Sequence, residues 1–172
     1  LAVLYEKKLD SCHVIPELET NGVGYYSGKG LQITGKENVV RLNKFYAIAE
    51  RKVQYIVSLT ADAKAVFRSS EGDFTAYVDM KKKQISIATN PVKEVDVNFL
   101  RPNHDYLVEV YHVYQQAKLR IVDITTSESA EILVVHDGQG GVGKGALQSG
   151  FAVGMQWDYY CFGMVSGTAV LV

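Results

Sequence analysis

The chain has 172 residues, 18 Lys and Arg against 19 Asp and Glu, and 47% hydrophobic residues. That length suits one domain, able to bury roughly two-thirds of its unfolded surface in a single core. A net charge of −1 provides no broad basic field for nucleic acid, no apolar run approaches the roughly 20 residues of a membrane helix, and 22% charged residues beside ample Val, Ile, Leu and Tyr exclude disorder.

The periodicity is two along most of the chain, which is the spacing of half-buried strands. Weak strand patterns cover 2–5, 31–34 and 39–42. The stretch 45–53 tolerates a short helix, since Ala47, Ala49, Glu50, Arg51 and Lys52 are compatible with one. Its context favours strand or irregular chain. From Val53 to Leu59 the alternation puts Val53, Tyr55, Val57 and Leu59 on one face. Residues 73–79 group Phe74, Ala76 and Val78. Lys81-Lys82-Lys83 then reads as a solvated hairpin tip before the alternating run 84–89. Asn90-Pro91 ends that run, and 94–99 alternates again until Arg101-Pro102-Asn103. Residues 106–114 and 118–125 form the best hairpin, joined near Gln115-Gln116-Ala117. Val108 and Val110 share one face of its first strand, while Leu107, Tyr111 and Val113 make the other face apolar too. Two apolar faces predict a strand in the middle of a layered structure. Further strands are expected at 131–136, 151–157, 160–165 and 169–172. About a dozen short strands at this spacing predict an all-β sandwich or barrel, and neither a repeat nor a linker divides it.

Cys12 and Cys161 belong to no CxxC pair and no Cys/His cluster, which argues against zinc. Neighbouring terminal strands would let them form a disulfide; separate thiols, with Cys161 buried, is the simpler expectation. The chain starts at Leu1 rather than Met and ends on the apolar Thr168-Ala169-Val170-Leu171-Val172. Both features suggest a module of a longer protein, with a leader removed before residue 1.

Three stretches carry a family likeness. They are Gly28-Lys29-Gly30-Leu31-Gln32-Ile33, residues 73–89 with Tyr77-Val78-Asp79 and Ile85-Ser86-Ile87, and Tyr106-Leu107-Val108-Glu109-Val110 followed by 118–126. In this order they resemble the concanavalin A-like lectin/glucanase superfamily, including its laminin-G-like members. The resemblance spans most of the chain. It implies one domain over 1–172, a jelly roll of two antiparallel sheets, and a ligand on the concave face or its rim loops. It also implies that calcium is a candidate structural ion.

A glucanase of that superfamily carries an E-x-D-x-x-E strand, because alternation aims three carboxylates at one side. Retaining hydrolysis needs two carboxyls about 5–5.5 Å apart. The nearest match, Glu94-Val95-Asp96-Val97-Asn98-Phe99, fails at its third acid, so Glu94 and Asp96 read as a solvated strand face. Glu109 offers another choice. It shares a face with Tyr111 and would serve as a sugar ligand or, with a raised pKa, as a general acid. Pairing with Arg120 or Lys118 across the hairpin is the competing expectation. Asp158 is the second weak catalytic candidate. Neither Gly-x-Ser-x-Gly nor a Gly-Asp-Ser motif is present, and His13, His104, His112 and His136 lack metal-ligand spacing.

The run from His136 to Gly145 is rich in glycine. Its Gly143-Lys144-Gly145 lacks the hydroxyl residue that a phosphate loop places after the lysine. A connection or rim loop fits better, with Asp137 as one donor toward a calcium ion needing about 6–8 oxygens. Met155 to Gly163 gathers the only Trp with two Tyr and a Phe. Rings stack on sugar C–H faces and polar groups hold hydroxyls, so Trp157, Tyr159, Gln156 and Asp158 are ligand-binding candidates. Tyr25 and Tyr26, expected in a loop, and Tyr111 join them.

The sequence therefore predicts a noncatalytic carbohydrate-binding or accessory module of a larger exported carbohydrate-active protein. Its expected partners are a glycan or an adjacent domain of the same chain. A glycoside hydrolase with an untypical carboxylate pair, or a structural module flanking an SGNH-type esterase, are the alternatives.

Overall fold

The computed structural model describes residues 6–9, 18–21, 25–26, 29–34, 39–42, 50–68, 75–88, 92–113, 116–135 and 161–172. Their strands are β1 (Leu18–Asn21), β2 (Tyr25–Tyr26), β3 (Leu31–Thr34), β4 (Val39–Leu42), β5 (Glu50–Leu59), β6 (Lys64–Arg68) and β7 (Ala76–Asp79). They continue as β8 (Gln84–Ile87), β9 (Lys93–Asp96), β10 (Asp105–Val113), β11 (Gln116–Asp123), β12 (Ser129–Val135), β13 (Cys161–Ser166) and β14 (Thr168–Leu171). Two seven-stranded antiparallel sheets result. The first has the order β1-β4-β13-β6-β7-β8-β9 and the second β12-β11-β10-β5-β14-β3-β2. The all-β expectation holds, and among the described residues no helix occurs.

Alternation dictates which side chains enter the core. In β10, Tyr106, Val108 and Val110 are fully buried, and in β11 so are Ala117, Leu119 and Ile121. β7 and β8 contribute Ala76, Val78, Ile85 and Ile87. The two sheets meet on an aromatic cluster. Phe67 and Phe162, neighbours on β6 and β13, stand 5.1 Å apart edge to face. Tyr55 of the opposite sheet lies 5.3 Å from Phe67 and 6.0 Å from Phe162.

Several expectations change at this level. β6 escaped the sequence reading, because Val66 on its outer side blurs an alternation already short. Tyr25 and Tyr26 form a two-residue edge strand instead of a loop, paired with Gln32 and Leu31. The 94–99 strand stops at Asp96. Val97 and Leu100 are buried, and the Leu100 N–H donates to Val97 O, so the chain turns there. The second apolar face of β10 is not sandwiched by a further layer among the described residues. Leu107, Glu109 and Tyr111 stand half-buried on the outer side of the second sheet. The lysines 81–83 are exposed at a hairpin tip as expected, and Lys83 takes a positive φ of 50° to close it.

Strand direction sorts the connections into two ends. Leu59, Asp79, Asp96, Asp105 and Asp123 finish or begin their strands at one end. Arg68, Ile87, Val113, Val135 and Cys161 do so at the other. The Asp123 end is tightly tied. There the Thr60 N–H donates to Thr168 O and the Thr168 N–H to Thr60 Oγ1, fastening the 60–63 turn to the β13–β14 corner. Gly167 makes that corner possible, with φ +76° and Ala63 Cα only 2.5 Å from where a Cβ would stand. Gly167→Ala is therefore expected to lower stability by about 1–3 kcal/mol through backbone strain and overlap. An unchanged urea midpoint for that variant would contradict this packing.

Candidate functional site

The outer side of the second sheet gathers the most chemistry. Register sets it row by row. Lys52 of β5, Tyr111 of β10 and Lys118 of β11 stand side by side, and Leu133 of β12 follows. The next row holds Gln54, Glu109, Arg120 and Glu131. These positions point outward because their neighbours in sequence carry the core.

Glu109 is the hub. Its side chain is only 12% exposed. Arg120 Nη1 donates to Oε1 at 2.7 Å and Gln54 Nε2 donates to Oε2 at 2.8 Å, while Lys52 Nζ lies 3.5 Å from Oε2. Burial alone pushes this carboxyl up. The hydrogen bonds from Gln54 and Arg120 and the charges of Lys52 and Arg120 outweigh burial, so its pKa falls below the ordinary value. That is the reverse of the raised pKa expected for a general acid. The competing expectation, pairing with Arg120, is what the register provides.

Tyr111 stands half-buried beside this hub. Lys118 Nζ sits 5.6 Å from its ring centroid, a cation–π distance, and 4.0 Å from Glu131 Oε2. Among the described residues this row combines an aromatic ring, aliphatic surface from the exposed Leu133, and two ammonium groups.

A second polar cluster lies at the Asp123 end. Asp123 is 1% exposed, yet its carboxylate is well served. Oδ1 accepts from the Thr125 and Thr126 N–H groups at 2.9 and 3.2 Å, and Oδ2 faces His104 Nδ1 at 3.2 Å. An ionised carboxylate only accepts, so this geometry assigns the proton to Nδ1. Burial pushes the Asp123 carboxyl up, but the Thr126, His104 and Thr125 hydrogen bonds hold its pKa below the ordinary value. Tyr106 completes the cluster. Its hydroxyl accepts from the Arg101 N–H at 2.7 Å and has Phe99 O at 3.1 Å as an acceptor. Burial, the largest influence, raises its pKa. These bonds pin the 97–104 and 124–128 turns, so the cluster is explained as structural wiring. Sequence reading missed it because His104 and Asp123 meet only through the hairpin register.

The other predicted residues fall as follows. Trp157, Tyr159, Gln156, Asp158 and Asp137 lie outside the described residues, as does Cys12. Their segment, 136–160, joins Val135 to Cys161, two residues at the same end of the sandwich. Tyr111 is two positions from Val113 at that end. Tyr25 belongs to the far edge of the same sheet, four strand spacings or about 19 Å from β10, so it is not brought beside Tyr111. Glu94 and Asp96 are exposed on edge strand β9, where Gln84 Nε2 donates to Asp96 Oδ1 at 3.0 Å. Among the described residues no group of three or more His, Cys, Asp or Glu is placed to hold a metal ion, so no calcium ligand set is found there. No helix of the described residues is long and apolar enough to cross a membrane.

Comparison with known proteins finds no matching family model. No curated protein matches either. Solved structures do match. Arcelin-5, a lectin-like defense protein from Phaseolus vulgaris, superposes with a TM-score of 0.65 at 11% identity, covering 96% of this chain and 94% of arcelin. The winged bean acidic lectin, solved with methyl-α-D-galactose, gives 0.66 at 10% identity over 96% and 94%. The exoplasmic/lumenal domain of VIP36, in a Ca2+-bound form, gives 0.61 at 9% identity over 91% and 81%. At these identities the likeness is one of fold: the chain has the two-sheet, lectin-like β-sandwich architecture.

Proposed function

We propose that this domain is a noncatalytic carbohydrate-binding module of a larger exported protein. The observation that carries the reading is the row around Tyr111 on the outer side of the second sheet. A ring flanked by polar side chains matches what a sugar offers, namely flat C–H faces and hydroxyl edges. Val135 and Cys161, which flank the stretch bearing Trp157, Tyr159, Gln156 and Asp158, lie at the end nearest Tyr111, and these four residues are proposed as further ligand contacts. Likeness of fold to sugar-binding lectins supports the reading. Export would give the domain a setting like that named for VIP36. A catalytic role for Glu109 gains no support, because two hydrogen bonds and the nearby Lys52 charge favour its ionised form.

A glycan array probed with the whole chain tests this. At least one glycan class should bind above background, and Tyr111→Ala should weaken it about fivefold to tenfold, the worth of one aromatic contact. Silence across the array would sink the carbohydrate reading.

A further inference from the structure

We propose that the glycan held at Tyr111 is acidic, its carboxylate or sulfate lodged between Lys52 and Lys118. This rests on the carbohydrate reading above and adds the ligand's charge. The inference follows from counting what the row has left to offer. Neutral sugars present hydroxyls, and a site for them pairs acceptors with donors. The acceptors here are largely spent, since Glu109 Oε1 takes Arg120 and Oε2 takes Gln54 and Lys52. The donors are not. Each lysine ammonium carries three N–H groups. The carboxylates facing them stand at 3.5 Å for Lys52 and 4.0 Å for Lys118, which are loose ion pairs rather than short hydrogen bonds.

Charge points the same way. Among the described side chains of the two rows, Lys52, Lys118 and Arg120 face only Glu109 and Glu131. This local positive surplus exists although the whole chain carries net −1. Both lysine side chains are partly exposed, at 38% and 37%, so they reach a ligand without a large desolvation cost. They stand on the strands either side of the one bearing the ring. Lys118 Nζ already lies over the ring at 5.6 Å, so a saccharide held at Tyr111 would meet Lys118 at the ring face and Lys52 from the neighbouring strand. The patch spans a few side chains, which suits a short acidic oligosaccharide and not a long polyanion.

The test is titration calorimetry of the whole chain with three matched pairs. They are tri-galacturonate and its methyl ester, a chondroitin sulfate tetrasaccharide and its desulfated, carboxyl-reduced form, and sialyllactose and lactose. In at least one pair the acidic partner should bind about fivefold to tenfold tighter at low salt, and the gap should close by about 0.5 M salt. The double variant Lys52→Gln, Lys118→Gln should erase the gap, so that within the variant the acidic and neutral partners bind alike. Tyr111→Ala should weaken both partners. Equal binding within every pair, or binding only to neutral glycans of the array, would overturn the charge assignment and leave the carbohydrate reading standing. Equally tight, lysine-dependent binding to phosphatidylserine vesicles would also overturn it. Absence of binding to any glycan would overturn both.

Discussion

Phe162→Ala should cost about 3–5 kcal/mol of folding stability, the range for removing a fully buried aromatic side chain. Phe162 is fully buried and touches the ring clusters of both sheets, meeting Phe67 at 5.1 Å and Tyr55 at 6.0 Å. Truncation removes its transfer free energy, leaves a cavity between the sheets and deletes two ring contacts. Close packing on both sides limits how far the site can collapse. Set against a total of about 5–15 kcal/mol for a domain, the variant would sit near its folding threshold. Phe162→Leu keeps most of the volume and should lose much less. Urea denaturation of the three proteins checks this; a loss under about 1 kcal/mol for Phe162→Ala would mean that the two sheets do not meet on this cluster.

The second large effect is expected at Asp123. Asp123→Ala should destabilise the domain by about 2–3 kcal/mol at neutral pH, since it strips hydrogen bonds to a buried charged group. The Thr125 and Thr126 N–H groups and His104 Nδ1 would lose their acceptor together. The same geometry fixes a sign for pH. The folded pKa of Asp123 lies below its unfolded value, so its contribution is full above the unfolded pKa, about 3.9, and fades as pH falls through the folded pKa. Glu109 is shifted in the same direction and adds to the same acid loss. Asp123→Asn should therefore flatten the stability profile at low pH while lowering its neutral plateau. A variant whose acid profile parallels the wild type would show that Asp123 is not held ionised by these bonds.

Much of the architecture could be read from alternation. Core residues such as Tyr55, Val57, Ala76, Val78, Ile85, Ile87, Val108, Val110, Leu119 and Ile121 fell on the predicted faces, because one-sided burial forces a period of two. β6 could not be read so easily. Val66 on its outer side hides the alternation, and only its neighbours β13 and β7 settle which face is inward. The polar sites divide similarly. Glu109 and Arg120 lie on one hairpin, so their pairing was available from local sequence. Lys52 reaches the same carboxylate only through the β5–β10 pairing, across a long stretch of chain. No local spacing encodes that contact, nor the row that places two lysines around Tyr111. The family likeness carried the two-sheet lectin-like architecture.

Amide chemical-shift mapping with an array-identified glycan on the isotope-labelled chain tests the central claim most directly. The perturbed amides should centre on Lys52, Tyr111 and Lys118 and extend toward Val113 and Val135, leaving 97–104 and 124–128 unmoved. Shifts confined to the turns at the Asp123 end, or a spectrum unmoved by a glycan that binds, would contradict a carbohydrate site on the outer side of the second sheet.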